Sequence, residues 1–187
     1  MIDFNIIIPS RYASTRLPGK PLIDVLGKTM LEHVWLNARK SQAQEVIIAT
    51  DDERIAIAAK NFGASVCMTS TEHQSGSERI TEVVDHMKWR DEQIVLNVQG
   101  DEPLMSHTVM NECASLLSDD SIDIGTLGSS FLNKEDWLNP NMVKVLVDHS
   151  ECALYFSRSS IPYPRENEVG IIEGNIVLHH HQCLLPN

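Results

Sequence analysis

The chain has 187 residues, 42% of them apolar and 22% charged, the composition of one globular domain with a hydrophobic core. Its 26 acidic against 15 basic residues give a formal net charge of −11, which excludes a general nucleic-acid binder, because such a protein needs a basic face. The first apolar run ends at Pro9, too short for a signal peptide or a membrane span, so no membrane contact and a cytoplasmic location are expected.

The elements follow in chain order. "NIIIP" reads as a buried strand, and "TMLEHVWLNARKS" spaces Met30, Leu31, Val34, Trp35 and Ala38 as a helix does. "EVIIAT" is a second strand. "DDERIAIAAKNFG" is a helix that starts on acids and stops at Gly63. "ASVCMT" is a third strand, and "SGSERITEVVDHM" is a helix whose start is read without a capping box. "QIVLNV" is a fourth strand and "SHTVMNECASLLSDD" a helix. "IDIGTLG", "MVKVLVD" and "CALYFSRS" are three further strands, whereas "EGNIVLHHHQCLLPN" fits no element. Strand–helix alternation predicts βαβ units: an α/β fold with a mostly parallel sheet covered by helices on both faces. Four cysteines (Cys67, Cys113, Cys152, Cys183) form no C-x-x-C pair and read as isolated thiols.

In such a sheet, ligands bind beyond the carboxyl ends of the strands. The segment after the first strand, "RYASTRLPGKPL", holds Arg11, Arg16 and Lys20 and no acid, in an acidic chain. Cations and backbone N–H groups at a strand-to-helix turn make an anion site. The alternative is a solvated basic loop. The segment is not a phosphate-binding loop of the G-x-x-x-x-G-K-[ST] type, because Ser14 stands where the first Gly belongs and Pro21 follows Lys20. Pro18 and Pro21 stiffen the loop around Gly19 instead.

"VLNVQGDEP" ends an apolar strand on Gln99, Gly100, Asp101 and Glu102. Asp101 is placed to hold a hard divalent cation; the alternative is a turn or helix-capping residue. "HQSGSER" is a third polar turn. Ser75, Gly76 and Ser77 offer N–H groups and hydroxyls there, and Arg79 lies one turn into the next helix.

Taken together, "IIIPSRYASTRLPGKPL", "VIIATDDERI", "VCMTSTEHQSGSERITEVV", "IVLNVQGDEPL", "NPNMVKVLVD" and "ALYFSRSSIPY" resemble the 3-deoxy-manno-octulosonate (Kdo) cytidylyltransferase family, from about Asn5 to Pro164. The resemblance implies a Rossmann-like nucleotidyltransferase core. It also implies transfer of CMP from CTP to Kdo with Mg²⁺, releasing pyrophosphate. Arg11, Ser14, Arg16 and Lys20 would meet the nucleotide, with Arg16, Lys20 and Asp101 acting in catalysis. Ser75, Gly76 and Arg79 would line the cytidine side, Gln99 would touch nucleotide or sugar, and Asp101 would hold the metal.

The pattern departs from the family after Pro164. Family members carry a sugar-binding segment next, and later a second metal carboxylate. Here "IVLHHHQCLLPN" stands instead, so residues 171–187 are expected to be a divergent tail of a single incomplete domain, left by truncation or a shifted reading frame. Two alternatives follow: a CTP-binding remnant without turnover, and an enzyme activating another sugar acid. A homodimer is expected once the remaining part is present.

Overall fold

The computed structural model describes residues 2–13, 17–119, 121–162, 177–181 and 184–185. Where the sequence suggests one domain, the chain divides into two compact units, 1–125 with 183–187, and 126–182.

The first unit is built on β1 (Phe4–Ser10), β4 (Val46–Thr50), β5 (Ser65–Met68) and β6 (Ile94–Asn97). All pair in parallel, in the order β6-β1-β4-β5. Every residue of β1 and β4 is buried, as befits strands covered on both faces. A small hairpin, β2 (Asp24–Val25) and β3 (Lys28–Thr29), precedes α1 (Met30–Ala38). Helix α2 (Glu53–Asn61) links β4 to β5, α3 (Gly76–Met87) links β5 to β6, and α4 (His107–Leu116) follows β6.

On one face of the sheet, Ile80, Val83 and Val84 of α3 pack on Ile7, Ile47, Ala49 and Val95. Each such fully buried side chain contributes about 1.5–3 kcal/mol. The alternate residues Ile6, Ile8 and Ile48 are fully buried on the opposite face. Helices α1, α2 and α4 bury apolar faces of their own: Leu31, Val34 and Ala38; Ile55, Ala56 and Ala59; Met110, Cys113 and Ala114.

Local chemistry sets the element ends. Thr29, Asp52, Ser75 and Ser106 cap α1 to α4 by accepting backbone N–H groups. Gly63, at φ 88°, stops the chain after α2. The α3 start corrects the sequence reading. Ser75 Oγ accepts from Glu78 N, and Glu78 Oε2 accepts from Gln74 N at 2.7 Å, a reciprocal cap one residue wider than the usual box.

The later strands do not extend the parallel sheet. In the second unit β7 (Leu127–Ser129), β8 (Lys144–Val147), β9 (Ala153–Ser157) and β10 (Val177–His181) form an antiparallel sheet in the order β7-β10-β8-β9. Five residues join β8 to β9, too few for a parallel crossover. Of "IDIGTLG" only Leu127 and Gly128 lie in a strand, which runs on to Ser129. Helix α5 (Lys134–Leu138) precedes β8. The segment expected to fit no element supplies β10 and also β11 (Leu184–Leu185), which pairs antiparallel with β6. Cys67, Cys113 and Cys152 are free thiols, as expected, and Cys183 lies outside the described residues. No described helix is long and apolar enough to cross a membrane.

Candidate functional site

Strand β1 has β4 on one side and β6 on the other: the chain runs outward from β1 through β4 to β5 and then returns to place β6 on the opposite side of β1. The crevice beyond the carboxyl ends of β1 and β6 is therefore the topological switch point where such sheets bind ligands. The first unit brings its polar turns there.

The basic segment leaves β1 at Arg11. It closes on itself through Gly19 N donating to Tyr12 O at 2.8 Å. Gly19 has φ 72°, and a Cβ there would meet the Tyr12 ring at 3.1 Å, so the turn needs glycine. Lys20 opens a 3-10 turn through Leu22, with Pro21 early in it. Its Nζ donates to Asp101 Oδ2 at 2.6 Å. Arg11 donates through both terminal nitrogens to Gln74 O at 3.3 Å and Ser75 O at 3.0 Å. Ser14 and Arg16 lie outside the described residues.

The β6 side ends on Asn97, whose buried Oδ1 accepts from Gln99 Nε2 at 3.1 Å. Gly100 allows that turn to lie on the end of β1. A Cβ at 100 would fall 2.4 Å from Ser10 Oγ and 3.1 Å from Pro9 O. The Ser10 hydroxyl is buried and has no hydrogen-bond partner among the described residues. A Cβ at Gly76 would stand 3.6 Å from Pro9 Cγ and 3.9 Å from Gln99 Nε2, so the start of α3 reaches the same place. Arg11, Lys20, Ser75, Gly76, Gln99 and Asp101 thus converge, although they are scattered over ninety positions of sequence.

Arg79 is placed differently from the expectation that it lines the cytidine side. It is fully buried. Its Nη2 donates to Asp51 Oδ2 at 2.6 Å and its Nη1 to Thr69 Oγ1. It lies beneath the turn rather than open on its surface.

The structure adds three relationships around these turns that the sequence does not announce. Asp51 is the partner of Arg79, a pairing across 28 positions that no local pattern announces. Arg54 lies 3.3 Å over the Tyr12 ring, a cation–π contact, and binds Asp52 through Nε at 3.0 Å and Nη2 at 2.6 Å. The Arg54 guanidinium in turn holds the Asp52 carboxyl below its usual range. Glu102, beside Asp101, has its carboxyl pushed up, first by burial and then by the Asp101 charge. Two neighbouring carboxyl groups at one strand tip therefore differ in environment, with Asp101 the exposed one.

Among the described residues no three His, Cys, Asp or Glu side chains are grouped to hold a metal. Asp101 offers hard oxygens beside the basic loop, at the end of Lys20. This arrangement suits a cation that keeps water and takes its other oxygens from a ligand.

The cytidylyltransferase family model matches residues 5–182. The match runs past the start of the segment read as divergent from residue 171. The 3-deoxy-manno-octulosonate cytidylyltransferase 1 of Actinobacillus pleuropneumoniae is 48% identical over 166 residues, 89% of this chain and 66% of that protein. The 3-deoxy-manno-octulosonate cytidylyltransferase of Pasteurella multocida is 45% identical over 186 residues, 97% of this chain and 72% of that protein. A solved CMP:2-keto-3-deoxy-manno-octonic acid synthetase complexed with CTP superposes with a TM-score of 0.85 at 38% identity, covering 97% of this chain and 73% of that one. The chain thus spans about two thirds of the length of the relatives it matches. It belongs to the 3-deoxy-manno-octulosonate cytidylyltransferase family.

Proposed function

We propose that this chain binds CTP in the crevice beyond β1 and β6 and transfers CMP to Kdo, releasing pyrophosphate. The product is an activated sugar for lipopolysaccharide assembly. The observation that carries the reading is that two cations of the first loop reach the other two polar turns, Lys20 meeting Asp101 at the β6 tip and Arg11 meeting the Gln74 and Ser75 carbonyls before α3. The CTP complex of the related synthetase supports the choice of nucleotide.

Lys20 and Arg11 bind the triphosphate: Lys20 as a point charge, Arg11 through its paired N–H groups. Arg16 and Ser14, from the same segment, are assigned to the nucleotide by the family resemblance. The start of α3, with Ser75 and Gly76, receives the cytidine, and Gln99 orients nucleotide or sugar with its amide held by Asn97. The anomeric hydroxyl of Kdo attacks the α-phosphorus in line and gives its proton to solvent, the bond from the α-phosphorus to the bridging oxygen breaks, and pyrophosphate leaves with that oxygen. The cations of the loop stabilise the charge on the leaving oxygens. Asp101 would hold Mg²⁺, which supplies charge neutralisation at the transferring phosphoryl group. No covalent protein nucleophile is required.

A cytoplasmic location belongs to the same proposal, as does a homodimer once the remaining part is present; fractionation, and sedimentation velocity of the restored chain, test them. The function is tested by measuring pyrophosphate release with CTP and Kdo beside direct binding of all four nucleoside triphosphates. The expected result is CTP binding in preference to ATP and GTP, with Kdo-dependent release. CTP binding without release is the outcome required by a nucleotide-binding remnant. Release with a sialic acid in place of Kdo would assign the chain to another sugar acid. Indiscriminate binding of all four triphosphates would remove the pyrimidine site.

A further inference from the structure

The turn from His73 to Gly76 is held from two sides. On its outer side Arg11 reaches the carbonyls of Gln74 and Ser75. On its inner side Arg79, one helical turn along α3, is fully buried. Asp51 immediately follows β4 and Thr69 immediately follows β5. The two strand ends are themselves joined by Thr69 N donating to Thr50 O at 2.9 Å. A single guanidinium therefore ties α3 to the tips of two adjacent strands. Its Nε has no partner among the described residues, so Asp51 and Thr69 carry its hydrogen bonding, and Asp51 is the only one of the two with a compensating charge.

The two clamps differ in what can happen to them. Arg11 is partly exposed and its partners are neutral carbonyls, so a phosphate can take it away. Arg79 has no access to solvent or ligand. If Arg11 turns to the triphosphate, the carbonyls of Gln74 and Ser75 lose their donor when the turn has to hold a base. The inner clamp then remains, with the Ser75–Glu78 cap, to keep the start of α3 against Pro9 and Gln99.

We propose that Asp51 and Arg79 are positioning residues for base recognition, holding the Ser75–Gly76 turn in its binding geometry through the Asp51–Arg79 ion pair. The proposal rests on the reading of the crevice as a CTP site. It assigns no ligand contact to either residue. A buried ion pair that loses one member leaves an uncompensated charge, which is strongly destabilising locally. A buried guanidinium without Asp51 is thus expected to draw the turn toward water, and discrimination between bases suffers first.

The test is binding of CTP and UTP to the wild-type chain, Asp51→Asn, Thr69→Val and the neutralised pair Asp51→Asn with Arg79→Gln, by titration calorimetry below each variant's unfolding temperature. The expected result has three parts. Asp51→Asn loses at least tenfold in CTP affinity, with the CTP-to-UTP ratio moving toward one. Thr69→Val, which removes a neutral acceptor only, shifts the ratio in the same direction by less. The neutralised pair recovers part of the ratio relative to Asp51→Asn. If Asp51→Asn and Thr69→Val are both less stable but keep the wild-type ratio, the pair is merely structural and the proposal falls. Should Asp51→Asn fail to fold, the ratio in Thr69→Val and in the neutralised pair decides the matter alone. A wild-type chain that does not bind CTP overturns the functional reading itself, which is a separate and distinguishable result.

Discussion

Lys20 Nζ lies 2.6 Å from Asp101 Oδ2, so the cation of the first loop and the carboxylate of the β6 tip, 81 positions apart in sequence, form one ion pair. Their side chains keep 34% and 47% of their exposure. A pair this open to water contributes only about 0–1 kcal/mol. It can therefore be exchanged: a phosphate can take Lys20 and a divalent cation can take Asp101 with little loss.

Lys20→Ala should weaken CTP binding far more than CMP binding. CMP lacks the phosphates assigned to Lys20, whereas a charge-assisted hydrogen bond contributes about 1.5–3 kcal/mol. A loss of roughly tenfold or more is expected for CTP in titration calorimetry. Equal losses for the two nucleotides would remove Lys20 from the triphosphate.

Asp101→Asn should abolish the Mg²⁺-dependent part of CTP binding while leaving the metal-free part nearly intact. With no group of three ligating side chains among the described residues, appreciable metal binding is expected only with CTP present. Titrating CTP with and without Mg²⁺ for both proteins checks this. An undiminished Mg²⁺ effect in Asp101→Asn would place the metal elsewhere.

Gly100→Ala should cost about 1–3 kcal/mol of stability, the range for forcing an extra carbon into a packed site. The added Cβ would meet Ser10 Oγ at 2.4 Å and the backbone oxygen of Pro9 at 3.1 Å. Urea unfolding gives the stability change. CTP affinity should fall with it, because the strand tip carrying Asp101 must move away from β1. An alanine variant as stable as the wild type would mean that the two strand ends separate easily.

Glu82 gives a pH dependence of definite sign. The backbone N–H of Ser70, which it accepts at 2.8 Å, is the main cause holding its carboxyl below the ordinary value of 4.5; the His73 imidazole at 2.5 Å adds to this. A carboxyl lowered in the folded state stabilises the fold above its unfolded value. That contribution is lost as pH falls through the folded value. The wild type should therefore lose thermal stability below about pH 4.5 more steeply than Glu82→Gln, whose side chain does not titrate. Parallel melting-temperature profiles for the two proteins would show that Glu82 contributes nothing to the acid limb.

The parallel core could be read from the sequence because its physics is local. Runs such as "NIII" and "EVIIAT", buried on both faces, and helices punctuated by Asp52 and Gly63 announce themselves within a few residues. The approach of Lys20 to Asp101 was legible for a related reason: in this topology the ends of β1 and β6 lie side by side. Tertiary structure alone decided the rest. The short β8–β9 connection turned the last strands into an antiparallel sheet, and β10 formed from a segment without a strand pattern because β7 and β8 offered it partners. Arg79 reads as a ligand contact in sequence, one turn from a polar loop. Its burial depends on Asp51 and Thr69, which reach it only once β4 and β5 lie side by side. A charge can stay in the interior only where a partner waits, and no local pattern specifies a partner 28 positions away.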